Sequence, residues 1–106
     1  YGMTLCTLGM AEEFRTDGIA VNSLWPRTLI ATAAVRNLLG GEEACRQSRQ
    51  PEIMADAAHA ILCQDSKTYT GKTLIDEEAL RAVGVSDFEH YAVAPGTPLK
   101  TDLFVD

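Results

Sequence analysis

Gly18-Ile19-Ala20-Val21-Asn22-Ser23-Leu24-Trp25-Pro26-Arg27-Thr28-Leu29-Ile30-Ala31-Thr32 is the stretch on which the reading of this chain turns. From Ile19 to Trp25 both faces carry bulk, Ile19 and Val21 on one and Leu24 on the other, the pattern of a strand buried on both sides in a parallel sheet. Pro26 cannot donate a ladder hydrogen bond, so it closes the strand. Hydroxyls and small side chains follow. In open α/β sheets ligands sit outside the carboxyl ends of strands, which makes the junction at Pro26 the place where chemistry is expected.

Upstream, Met3, Cys6, Met10 and Phe14 recur at helical spacing, with Leu5 and Leu8 widening the apolar face. Asp17-Gly18 supplies the stop, because glycine tolerates the left-handed conformation that ends helices. Downstream, Thr28 to Leu39 reads as a short helix capped by Thr28 or Thr32 and ended by Gly40-Gly41. Glu42 to Arg49 is either another short helix or a loop. Pro51 and Glu52 open an Ala-rich helix running to about Cys63, with Ile53, Ala57, Ala60 and Ile61 on one face. That small-residue face suits a subunit interface. Lys72 to Ile75 reads as a second short strand, and Asp76 as the cap of a helix through about Val83, stopped by Gly84. Ser86 to Glu89 has a capping-box pattern, and from Ala94 onward turn residues dominate.

Two strands joined by a long helical crossover imply a parallel, right-handed connection. Two strands alone do not make a stable sheet. The fold class expected is therefore α/β, incomplete as given, with the missing strands coming from absent sequence or from another chain. It forms one unit over 1–106, with core elements in 1–76 and a tail in 77–106. Tyr1-Gly2-Met3 opens straight into the first helix without a cap, so sequence ahead of residue 1 is expected.

Composition narrows the partners. Nine Lys and Arg against fifteen Asp and Glu leave a net charge of −6, and the basic residues are scattered. Phosphate-backbone binding needs them clustered, so nucleic acid is not an expected partner. No apolar run reaches the roughly 20 residues that span a bilayer. Three cysteines at irregular spacing do not form a disulfide framework and point to the cytoplasm or another reducing intracellular compartment.

Several local signals have simpler explanations than catalysis. His59 and Cys63 share a helix face at a spacing that can hold a metal, yet a zinc site needs three or four ligands and no second pair is near. Gly40-Gly41 lacks the Lys-Ser or Lys-Thr of a phosphate loop. No Ser sits in a Gly-x-Ser-x-Gly elbow. Glu12-Glu13 and Glu77-Glu78 sit where solvated helices carry charge, and His90 sits near a helix end.

The segment around Pro26 is different. Asp17 to Pro26, followed by Thr28 and Thr32, resembles the Val-Asn-x-x-x-Pro-Gly-x-x-x-Thr strand and loop of the short-chain dehydrogenases/reductases. Pro51-Glu52-Ile53-Met54-Ala55-Asp56-Ala57-Ala58 resembles that family's interface helix, and Tyr69 to Asp76 its final Thr-Gly turn and strand. Asp76-Glu77-Glu78 and Tyr91 to Leu99, together with Arg27 in place of the usual Gly, resemble one branch of the family.

The resemblance implies that the chain is the C-terminal portion of a Rossmann-type doubly wound parallel sheet, and it implies an NAD or NADP cofactor, a small-molecule alcohol or carbonyl substrate, and hydride transfer between them. It implies cofactor contacts from Pro26, from Thr28 or Thr32, and from a backbone N–H or C=O at Leu29 or Ile30. Pro26 to Thr32 is one residue longer than the family spacing, so either Thr fits, and either also fits as a helix cap. Arg27 lies beside a pyrophosphate or points to solvent. Residues 28–49 correspond to the substrate-side lid, and Trp25 either walls the pocket or packs inside. Helix 51–63 and strand 72–75 correspond to contacts of a homo-oligomer.

The family's catalytic Tyr-x-x-x-Lys precedes the Val-Asn strand. Leu5 stands where Lys would be required after Tyr1, so no catalytic residue is expected among these 106, nor the Gly-rich dinucleotide loop. The chain by itself should not catalyse. A non-catalytic interaction or oligomerisation module and a degenerate family member are the competing readings.

Overall fold

The computed structural model describes residues 2–38 and 41–102. Helix α1 spans Gly2–Glu13 and runs through a 3-10 turn at Arg15–Asp17 to Gly18, whose φ of 72° provides the left-handed stop. Strand β1 is Ser23–Trp25, α2 is Ala33–Leu38 and α3 is Gly41–Arg46. Helix α4 is Glu52–Leu62, β2 is Thr73–Ile75, α5 is Asp76–Ala82, and a second 3-10 turn covers Glu89–Tyr91. The strands are parallel, with Ser23, Leu24 and Trp25 opposite Thr73, Leu74 and Ile75. The helical crossover and parallel pairing expected of the α/β class are present.

The first strand is shorter than the apolar run suggests. Ahead of Ser23 the Val21 carbonyl still accepts the Gly71 N–H at 2.9 Å, and side chains make the remaining bonds. Thr70 Oγ1 accepts the Val21 N–H at 3.0 Å. The Asn22 amide donates to the Tyr69 carbonyl and accepts from the Lys72 N–H, at 3.1 and 3.0 Å. The backbone of 19–22 is thereby held beside the turn before β2 without continuing the sheet.

Helix α2 begins five residues later than the expected start at Thr28. Residues 28–30 are extended instead, bridged to Thr101 on one side and Arg49 on the other. Thr32, not Thr28, is the hydroxyl at the helix start, its Oγ1 accepting the Val35 N–H at 3.4 Å. The expected stop at Gly40 lies outside the described residues. Glu42 to Arg46 is helical, and Gly41, with a φ of 68°, starts that helix.

Two small cores result. Ile53 and Ala57 on α4 are fully buried against Ala79 and Leu80 of α5 and against Phe88 and Tyr91. Of the small-residue face of α4, Ile53 and Ala57 are covered inside the chain while Ala60 and Ile61 stay half-buried, and the exposed side carries Ala55, Asp56, His59, Leu62 and Cys63. Leu29, Val35, Ala44 and Cys45 make a second core inside the α2–α3 pair. Helix α1 joins neither: only Thr7 and Ala11 are buried, and the Thr7 and Ser23 hydroxyls bond at 2.6 Å. The apolar face expected from Met3, Leu5, Leu8 and Met10 points outward, Met3 being 84% exposed. The Cα radius of gyration of 15.1 Å exceeds the about 13 Å of a compact domain this size, as elements not gathered round one core require.

The capping box at Ser86–Glu89 does not form. Asp87 takes the Glu89 N–H at 3.0 Å, while the Glu89 carboxylate accepts the Gly96 N–H at 2.9 Å. Asp76 is the first residue of α5 rather than its cap.

Candidate functional site

Because β1 and β2 are parallel and end in register, Pro26 and Asp76 leave the sheet side by side at its carboxyl edge. The loop from Pro26 to Thr32 starts there. Arg27 N–H donates to Asp76 Oδ1 at 3.0 Å, and the Arg27 guanidinium reaches Glu78 Oε1 at 2.8 Å, across the same edge. Trp25 and Pro26 are half-buried.

The next residues are tied on alternating sides. Leu29 N–H donates to the Lys100 carbonyl, its own carbonyl accepts from Arg49 N–H, and Ala31 N–H donates to the Arg49 carbonyl, each at 2.9 Å. Thr28 is buried, with its hydroxyl donating to the Leu29 carbonyl at 3.1 Å. Leu29 thus has both peptide groups satisfied within the chain, and Thr28 has its proton committed. Ile30 differs, because in a parallel bridge to Arg49 its own N–H and C=O point away from Arg49. Neither makes a hydrogen bond among the described residues. Thr32 is exposed at the start of α2. Of the five residues expected to meet a cofactor, Thr28 and Ile30 each keep a backbone N–H and C=O with no hydrogen bond among the described residues, Thr28 buried and Ile30 half-buried, and Thr32 keeps an accessible hydroxyl.

A charged cluster supports this loop from beneath. Arg49 is 7% exposed, lies 5.4 Å over the Phe88 ring and donates to Glu77 Oε2 at 2.9 Å. Arg81 takes the other Glu77 oxygen at 2.7 Å. Burial alone would raise the Glu77 carboxyl, but hydrogen bonds from Arg81 and Arg49 outweigh it and hold it below the usual carboxylate range. For Asp76, fully buried, burial wins: the carboxyl is pushed up despite amide hydrogen bonds from Arg27 and Glu77 and the charge of Arg49.

The other candidates are placed apart from this edge. His59 and Cys63 do approach, with 3.7 Å between Nε2 and Sγ, but among the described residues no group of three His, Cys, Asp or Glu could hold a metal. His90 stacks on Tyr91 at 4.0 Å, and the Tyr91 hydroxyl donates to Asp56 at 2.5 Å. A cavity of about 550 Å³ lies between β1 and α4, lined by Ile19, Val21, Leu24, Ala58 and Ile61 among others and by no charged side chain. Its polar contributors are Asn22, Ser23, Gln64, Ser66 and the Tyr69 phenol. Among the described residues no helix is long and apolar enough to cross a membrane, and all three cysteines are free.

Two contributors were missed from sequence: the tail, whose Lys100 peptide ties Leu29 to Gln47, and Asp76 as a partner of the loop. A carboxylate directly after the second strand was the available sign of the latter.

No family model matches the chain. A short-chain dehydrogenase of Mycobacterium thermoresistibile, in its crystal structure, superposes with a TM-score of 0.88 at 57% identity over all of this chain and 38% of its own. A putative dehydrogenase from Xanthomonas campestris gives 0.89 at 50% identity, over 99% of this chain and 38% of its own. Over its whole length the chain is similar to short-chain dehydrogenases, with the Rossmann-type relationship that the resemblance of its strand and loop implied. Within them it is similar to hydroxysteroid dehydrogenase-like protein 2; the zebrafish protein is 56% identical over all 106 residues. The chain spans about a quarter of the length of such curated relatives, 25% in that case.

Proposed function

We propose that this chain supplies the nicotinamide-side loop and the substrate-side lid of an NAD(P)-dependent oxidoreductase that interconverts an alcohol and a carbonyl. The observation that carries the reading is the Ile30 peptide. A nicotinamide carboxamide presents one acceptor and one donor, and Ile30 offers an unpaired N–H and an unpaired C=O at the carboxyl edge of a parallel sheet. The donor set fits the group. The nicotinamide, when bound, supplies the hydride acceptor or donor.

The chain's own residues bind and orient. Ile30 would hold the carboxamide through its backbone, and Thr32 would offer its hydroxyl to the carboxamide or a phosphate while still accepting from Val35. Pro26 would set the loop's departure from β1, with Thr28 and Leu29 serving inside the loop. Helices α2 and α3, built on their own small core, would form the lid over the substrate. The proton-transfer groups would come from outside these residues.

Titration of the intact protein with NAD and NADP, in each redox state, is expected to give saturable quenching or enhancement of Trp25 fluorescence, and turnover of small alcohols or carbonyls. The 106 residues alone are expected to give no turnover. Turnover by these residues alone would overturn the division of labour proposed, and absence of any nicotinamide binding by the intact protein would overturn the reading itself.

A further inference from the structure

The parallel ladder stops at Trp25 opposite Ile75. Pro26 has no N–H, so the first backbone donor beyond β1 is that of Arg27, and it lies past the last carbonyl of the partner strand. A side chain receives it instead. Asp76, the residue that follows β2, is fully buried, and its Oδ1 accepts the Arg27 N–H at 3.0 Å. The same oxygen accepts the Glu77 N–H at 2.6 Å, which anchors it to the first turn of α5 and, through Ala79 and Leu80, to the main core. We propose that Asp76 is a positioning residue for the nicotinamide-side loop, fixing through the Arg27 amide where the Ile30 peptide stands. This rests on the function proposed above for Ile30.

The loop's bonding pattern explains why this one contact sets the position. Arg27 is held on its other side by its carbonyl, which accepts from Asp102 N–H at 3.0 Å. Leu29 and Ala31 are tied to Lys100 and Arg49. Those later ties come from the tail and from the segment after α3, whereas Asp76 connects the loop to the sheet itself. Without that bond the loop keeps to α5 through the side-chain pairs Arg27–Glu78 and Arg49–Glu77, and its backbone can shift relative to the ends of β1 and β2. A carboxylate suits the task because charge-assisted hydrogen bonds are shorter and stronger than neutral ones. Its other oxygen has no hydrogen-bond partner, a cost that mere filling of space would not incur.

The competing role is that Asp76 only secures the start of α5 through Glu77. Residue-resolved amide hydrogen exchange on the intact protein separates the two. In the wild type, the Arg27 amide, although in no helix or strand, is expected to exchange at least about 100-fold slower than in a free chain. In Asp76→Ala, and in the β-branched Asp76→Val, which has no acceptor, exchange at 27–31 should rise about tenfold or more, beyond any change in α5. Asp76→Asn retains the accepting oxygen and should stay within about threefold of wild type. Cofactor affinity should fall about tenfold in the Ala and Val variants, with kcat at saturating cofactor within about threefold.

Rapid exchange of Arg27 in the wild type would overturn the proposal, a measurement that needs no variant to fold. Loosening of α5 without loosening of 27–31 would overturn it too, as would unchanged cofactor affinity in the Ala and Val variants of a protein that binds nicotinamide. Absence of nicotinamide binding by the wild type would overturn the function proposed above and with it the role assigned to Asp76; the exchange pattern would then still show whether Asp76 pins the loop.

Discussion

Helices α1 and α4 have nearly equal length, twelve and eleven residues, yet they meet opposite fates. Helix α4 buries Ile53 and Ala57 completely between α5 and the turn that carries Phe88 and Tyr91. Helix α1 buries Thr7 and Ala11 and turns Met3, Leu5, Leu8 and Met10 outward. The difference teaches that apolar periodicity states how much surface a helix needs covered, not which neighbour covers it. Around α4, α5 and the loop after β1 the described residues close on themselves. Around α1 they do not, so stability should be sensitive to substitution in the first region and insensitive in the second.

The largest effect is expected from Ile53→Ala. Ile53 has no exposed surface, and deleting a buried Ile side chain costs about 2–5 kcal/mol through lost transfer energy and the cavity left behind. Denaturant unfolding of the intact protein should show a lowered midpoint at unchanged slope. A loss below about 1 kcal/mol would mean that α4 and α5 are not the closed half.

Tyr91 tests the same region through pH. Burial first, then the hydrogen bond to Asp56 and its charge, push the Tyr91 hydroxyl from 10.0 up to about 12. An acid whose folded value is raised holds more protons folded than unfolded between the two values. Its stabilisation is therefore complete below pH 10 and is lost as the pH rises toward about 12. Tyr91→Phe should be less stable than wild type by about 1–2 kcal/mol near neutrality, where the bond to Asp56 is missing. That gap should close in the alkaline window, by no more than about 2–3 kcal/mol. Melting temperatures of both proteins across pH 8–12 would check it, and parallel curves would contradict it.

How far the sequence could be read follows from the same contrast. The strand, its end at Pro26 and the parallel crossover were legible because proline chemistry and local pattern determine them. The Ala-rich helix was legible too, though part of its small face turned out to serve α5. The start of α2 was misplaced because Thr28 to Ile30 are held extended by Arg49 and Thr101, partners more than eighteen residues away that no local propensity encodes. For the loop, the family pattern left Leu29 and Ile30 equivalent. Only the tail and Arg49 distinguish them, by occupying the Leu29 peptide on both sides.

The smallest effect is expected at Arg15, in the open region. Its guanidinium meets Glu12 at 2.9 Å, three residues back, with side chains 56% and 75% exposed. An exposed pair of this kind gains little Coulomb energy in high dielectric, loses side-chain freedom and is screened by salt, so Arg15→Ala should change stability by no more than about 0.5 kcal/mol. The Arg49–Glu77 pair has the same geometry, 2.9 Å, but side chains only 9% and 19% exposed, and Arg49 also packs over Phe88. Equal distances with unequal burial make the two pairs a direct comparison of the closed and open regions. A salt titration sharpens it: raising ionic strength should erase what little Arg15→Ala costs, since exposed charges lose their interaction over a Debye length of about 10 Å at 0.1 M. A loss at Arg15 that survives high salt would show that α1 is covered in the intact protein, and that its outward apolar face is part of a buried interface.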